Sequence, residues 1–257
     1  MAATARTVTS AGAISAYLRF EVPRTLRNRR FIVLAIGFPV LFYLLFTRVL
    51  TGTTGVDPAA EAFGMVSIAA FGAIGASLSG AVRVAMERTN GWTRQLRVTP
   101  LPSVAYVTTK VASGYLTAVP PIALVMVVAF VVNGVSLPVT TWLAIFIALA
   151  VGAIPFAALG VLIGYVFEES TAQLVFTISY VGLAVLGGLW TPISAFPDTL
   201  ATLARLTPSY HYANLGWTAL AGQPLDVTDV VVLAIYALAF VAILAWRYRV
   251  SEQKARG

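Results

Sequence analysis

Cysteine is absent from the 257 residues, and histidine occurs once. The first absence excludes a disulfide framework, a thiolate nucleophile and a Cys-ligated zinc. The second leaves no His cluster to hold a metal. Charge is scarce at 11%, while 59% of the chain is apolar and mean hydropathy is +0.86. A soluble domain runs at about half apolar and a quarter charged, and a disordered chain is poorer still in apolar residues; neither class fits. A phosphate-binding loop is also missing. It needs Gly-x-x-x-x-Gly-Lys-Ser/Thr, and neither Lys110 nor Lys254, the two lysines of the chain, has the preceding glycine. The chain is not expected to hydrolyse ATP itself.

What remains is a set of long apolar runs. A helix needs roughly 20 mostly apolar residues to cross a bilayer, and six segments qualify: 31–47, 59–82, 104–132, 139–167, 171–190 and 230–246. The first reads as a retained span, because its apolar run is long and no small-residue cleavage site follows it. The third and fourth are long enough to tilt or kink, at Pro120–Pro121 and Pro155. The runs are continuous rather than alternating, which speaks against a β-barrel. The expected fold is a single all-α integral membrane domain over residues 1–257.

Fifteen of the 17 Lys and Arg residues fall on one side of these spans; Arg48 and Arg205 alone fall on the other. The positive-inside rule then puts both termini in the cytoplasm of a multi-pass protein of the cell inner or plasma membrane. The excess of basic charge reads as topology and attraction to anionic lipid, not as a nucleic-acid footprint. No ionisable side chain sits centrally in a span, so an ion-coupled carrier loses the membrane carboxylate such carriers commonly use.

The cytoplasmic segment 83–103 reads RVAMERTNGWTRQLRVTPLPS. On spacing alone it is a basic loop with Pro–Thr turn chemistry that keeps this side inside. Its Glu87-Arg88, Gly91, Leu96 and Thr99-Pro100-Leu101 resemble the ER–G–L–TPL pattern between the second and third spans of type-2 ABC exporter permeases. Trp92 departs from the smaller or polar residue that many members carry. The layout of the whole chain is similar as well: a basic N-terminal segment, six spans, and a long outer segment before the last. The resemblance implies that 83–103 is a coupling loop docked in a cleft of a separate ATP-binding cassette subunit. Glu87, Arg88, Gly91, Trp92, Leu96, Thr99, Pro100 and Leu101 would belong to that contact. ATP and magnesium would be bound by that partner, with no cofactor in this chain.

Ahead of the first span, Ile14, Tyr17, Leu18 and Val22 fall at near-helical spacing and the pattern stops near Pro23. The arm 11–30 is thus an expected interfacial helix; the resemblance implies a connecting helix touching the ATPase, and a plain lipid anchor fits the same pattern. Glu168-Glu169-Ser170 reads as a solvated turn with Ser170 capping the fifth span. Residues 191–229 are too polar and broken to span. Leu200, Leu203 and Leu206, then Tyr210, Tyr212, Trp217 and Leu220, mark two short amphipathic helices, and the resemblance implies that these are re-entrant. His211 reads as an interfacial side chain rather than a ligand.

Gln173, Thr177 and Tyr180 share one face of the fifth span. Gly72, Ala76 and Gly80 in the second, and Gly160 and Gly164 in the fourth, permit close helix approach. The plain reading of all of these is packing. If the family reading holds, the second and fifth spans line an interface between two copies, and Ser67, Phe71, Gln173, Thr177 and Tyr180 form the substrate pathway. The expected function is the permease subunit of an exporter, a homodimer joined by two ATPase subunits. It would move an amphiphilic or hydrophobic cargo (a drug, antibiotic or lipid) outward by alternating access. A polysaccharide-export permease of the same fold and an ion-coupled transporter are the rival readings.

Overall fold

The computed structural model of the chain describes residues 32–50, 57–91 and 103–254, with residues 19, 23 and 27 besides. Among the described residues every regular element is helical. The expected interfacial helix over 11–30 otherwise lies outside the described residues.

The path begins with α1 (Phe38–Leu44), continued at either end by π-helical turns, Ile32–Gly37 and Leu45–Leu50. α2 (Pro58–Leu78) and α3 (Gly80–Thr89) run as one rod interrupted at Ser79, whose hydroxyl donates to the carbonyl of Ala76 at 2.6 Å. α4 (Ser103–Val131) returns and runs unbroken through Pro120 and Pro121. α5 (Val139–Gly152) and α6 (Ile154–Val166) form the next path, broken at Ala153. Pro155 accounts for that break, since its ring cannot donate back into the preceding turn. α7 (Glu169–Leu186), α8 (Asp198–Arg205), α9 (Pro208–Leu220) and α10 (Val227–Lys254) complete the fold.

Local chemistry explains the starts. Asp57 caps α2 by accepting from the amide of Ala59 at 3.0 Å, with Pro58 in the first turn. Thr207 does the same for α9, again with a proline following. α7 is different from the expectation: its cap is Glu168 in an extended conformation, and Ser170 is already inside the helix.

Among the described residues five helices are long and apolar enough to cross a membrane: Pro58–Thr89, Val107–Val131, Val139–Val166, Glu169–Leu186 and Val227–Arg247. The first expected span is the exception. Its apolar helix, Ala35–Arg48, extends about 21 Å at 1.5 Å per residue, against a hydrocarbon core of about 30 Å. The π-helical turns on both sides shorten the regular stretch.

Pro58–Thr89 is the central rod. Of its most apolar stretch 89% is buried, against 11% for Glu169–Leu186. α2 packs chiefly on α4, and also on α1, α6 and α9. Small residues make this possible. A Cβ on Gly72 would lie 2.9 Å from Pro39 and 3.0 Å from Pro121, and one on Gly160 would lie 2.9 Å from the carbonyl oxygen of Ser77. α9 is no surface helix: Tyr212, Ala213, Leu215 and Ala219 are buried, and it packs on α5, α2 and α10. Tyr212 fills the notch at Gly152 and donates to the carbonyl of Leu149 at 2.9 Å. Two helices therefore occur where the pattern placed them, but only α8 is amphipathic and exposed along most of its length.

Candidate functional site

The expected coupling residues fall at the end of the bundle where α3 stops and α4 begins. Glu87 and Arg88 lie in the last turn of α3. Gly91 closes the helix with φ +71, a left-handed conformation that suits a residue without a Cβ. Trp92, Leu96, Thr99, Pro100 and Leu101 lie outside the described residues.

Glu87 and Arg88 reach into the bundle. The carboxylate of Glu87 accepts from Lys110 Nζ at 2.6 Å, and the lysine side chain is 4% exposed. Arg88 Nη1 donates to the carbonyl of Gly164 at 3.1 Å and to that of Tyr165, both in the last turn of α6. Its guanidinium lies 4.9 Å from the centre of the Tyr165 ring. These carbonyls have no partner within their own helix, and a cation beside a helix C-terminus is stabilised by the dipole. Sequence reading missed Lys110 and Tyr165 as site residues. The signal for Lys110 was present: a lysine inside an apolar run needs a carboxylate nearby, because an unpaired buried charge costs several kcal/mol.

The five expected pathway residues separate. Ser67 and Phe71 lie buried inside the bundle. Gln173 and Thr177 are exposed on α7 and bond to each other, Thr177 Oγ1 donating to the Gln173 carbonyl at 2.9 Å. Tyr180 joins the two groups. Its ring stacks on Phe71 at 4.4 Å and on Phe176 at 5.9 Å, over Gly75, where a Cβ would lie 2.6 Å from it. Phe42 and Trp190 extend this cluster, with ring centres 5.9 and 5.3 Å from Phe71.

Ser67 also borders a cavity of about 190 Å³ near the opposite end of the bundle. Aromatic rings of Tyr43, Phe46, Phe63 and Trp190 line it, together with Thr47. Ser67 Oγ donates to the Phe63 carbonyl at 2.9 Å and accepts from Trp217 Nε1 at 3.1 Å. Trp217 in turn stacks on Phe63 at 4.9 Å. Trp217, on α9, is thus a wall support that the sequence pattern assigned only to an outer amphipathic helix.

At this same end α9 meets the start of α10. His211 Nδ1 and Asn214 Nδ2 each lie 2.7 Å from the carboxylate of Asp229, which is 2% exposed. His211 is therefore a packed, hydrogen-bonded side chain. Nearby, Asp226 accepts from the amide of Thr228 at 2.8 Å. That bond, helped by the Thr228 side chain and by the neighbouring His211, holds the Asp226 carboxyl below the usual carboxylate range. No group of three or more His, Asp and Glu able to hold a metal occurs among the described residues.

Comparison with known proteins supplies the remaining finding. A family model described as ABC-2 family transporter protein matches residues 47–246. The chain is 29% identical over 233 residues to YvfS of Bacillus subtilis (strain 168), named as a candidate transport permease. The match covers 90% of this chain and 95% of that protein.

Proposed function

Because the chain belongs to the ABC-2 family of transporter proteins, we propose that it is the membrane half of an exporter, moved by a separate ATP-binding subunit. It is a multi-pass permease subunit of an ABC transporter. The finer reading adds a direction, a cargo and an assembly. Two copies would pair, each bound by one ATPase subunit on the cytoplasmic side, the side of Glu87 and Arg88. The α1 segment would act as a sixth, short span, and α8 and α9 would cap the outer end.

In this reading, closure of the nucleotide-bound partner displaces the segment between Gly91 and Ser103. The displacement reaches the spans through α3 and α4, and the route to the outside opens. Cargo would pass along Ser67, Phe71, Gln173, Thr177 and Tyr180, with Trp217 and Trp190 at the outer end. The family match over 47–246 carries this reading. The aromatic cavity beside Ser67 favours an amphiphilic or hydrophobic cargo over a polysaccharide: its 190 Å³ is near the roughly 150 Å³ that accepts a benzene ring.

Co-purification in mild detergent tests the partnership. An ATP-binding protein in 1:1 ratio with the chain is the expected result, and a chain that comes alone sinks the proposal. Reconstituted vesicles then test the cargo. Efflux of a fluorescent amphiphile should require ATP and survive collapse of proton and sodium gradients. Loss of efflux on gradient collapse with ATP intact would indicate an ion-coupled carrier instead.

A further inference from the structure

We propose that Glu87, Lys110, Arg88 and the C-terminal turn of α6 form a clasp that fastens α3 to the spans on either side. Resting on the permease reading above, it assigns Glu87 and Arg88 to transmission of movement rather than to the docking contact itself.

Two independent contacts converge on the last turn of α3, and a third joins its first turn to α6. One is the ion pair from Glu87 to Lys110 on α4, 2.6 Å long and largely shielded from solvent. Another is Arg88, whose guanidinium reaches the carbonyls of Gly164 and Tyr165 and lies over the Tyr165 ring. The last is direct backbone contact: a Cβ on Gly164 would sit 2.2 Å from the carbonyl oxygen of Ala81. Glu87 and Arg88 are adjacent in sequence, so on a helix they point about 100° apart. One side chain therefore takes α4 while the other takes α6. Each bond uses a group that is costly to leave alone, a buried charge or an unpaired helix-terminal carbonyl. Breaking either bond gives up a contact to a largely shielded charge or to a helix-terminal carbonyl, so α3, α4 and α6 move together at this end. Arg88 is suited to this by its planar fork, which a lysine lacks.

Two variant sets test the clasp in the full-length chain, purified in lipid nanodiscs with whatever ATP-binding subunit accompanies it. The first is the charge cycle Glu87→Lys, Lys110→Glu and the double reversal. The second is Arg88→Lys, which keeps the charge and folds even where a reversal does not. Hydrogen exchange across residues 80–91 reads the clasp directly. Exchange should quicken by about tenfold or more in each single variant, as expected for a contacting pair, and the double reversal should restore most of the protection. In the complex, Arg88→Lys should retain the ATP-binding subunit at the wild-type ratio. The change in exchange across 139–166 that a non-hydrolysable ATP analogue produces in the wild type should be lost.

Unchanged exchange in the single variants, or a folded double reversal without recovery, overturns the ion-pair half of the clasp. Loss of the ATP-binding subunit from Arg88→Lys overturns the Arg88 half, because that side chain would then make the docking contact itself. A wild-type chain that brings no ATP-binding subunit defeats the permease reading alone. The exchange cycle on the chain by itself still decides the clasp.

Discussion

Replacing Gly164 by alanine adds one methyl group at the tightest helix crossing. That carbon would lie 2.2 Å from the carbonyl oxygen of Ala81, 3.0 Å from its carbonyl carbon and 2.8 Å from Val84 Cβ. The obstacle is largely backbone, so no rotamer change relieves it. Ordinary contact begins at 3.4 Å, and α6 must therefore withdraw from α3 by about 1.2 Å. Such a shift carries the Gly164 carbonyl, now 3.1 Å from Arg88 Nη1, out of hydrogen-bond reach. Overpacking costs about 1–3 kcal/mol, and a hydrogen bond to a charged group about 1.5–3 kcal/mol, taken at its low end because Arg88 is exposed. Alanine returns about 0.5–1 kcal/mol through better helix propensity. The net loss is about 2 kcal/mol, a fall in melting temperature of about 4–8 °C. Gly182→Ala on α7 is the control: a Cβ there meets nothing within 4 Å, so that variant should melt at or slightly above the wild type. Tryptophan fluorescence in detergent micelles reads both, with five reporters in the chain. A Gly164→Ala protein that melts with the wild type would refute the close crossing and the reasoning built on it.

Trp217→Phe keeps the stack on Phe63 and removes the bond to Ser67, for a loss of about 0.5–1.5 kcal/mol; in a cycle with Ser67→Ala the two losses should not add, and additive melting shifts would refute the pairing. His211→Ala leaves the buried Asp229 carboxylate with Asn214 alone, and should destabilise by about 1–3 kcal/mol, read as a lowered melting temperature. Asp226 has a folded pKa below its ordinary value. Its contribution is present above the unfolded pKa and is lost as pH falls through the folded one. The stability gap between wild type and Asp226→Asn, measured by chemical unfolding, should therefore narrow from pH 7 to about pH 3; a gap that widens contradicts the Thr228 bond. Gly91→Ala must take φ +71 with a side chain, at about 1–2 kcal/mol, and should fray the end of α3 without touching the bundle, as hydrogen exchange confined to the neighbouring turn would show.

Apolar run length was enough to locate five long apolar helices, four of them within four residues at each end and the second seven residues short of Thr89, since the bilayer sets a minimum length for every helix that crosses it. Pro155 marked a break for a reason that acts within one turn. The family was legible in Glu87-Arg88, Gly91 and the Thr99-Pro100-Leu101 run, and the match over 47–246 agrees. Other features depended on which faces meet, and no local pattern carries that. Ser67 and Tyr180 look alike as polar residues in apolar spans, yet one holds Trp217 of α9 and the other lies over Gly75. The small residues of the second span permit close helix approach, but only the packed helices make that span the buried centre of the bundle. Glu87 is one acid among ten until α4 brings Lys110 to it across 23 residues of chain. Only the packed helices decide such pairings, because a charge removed from water must find its partner in space and not in sequence.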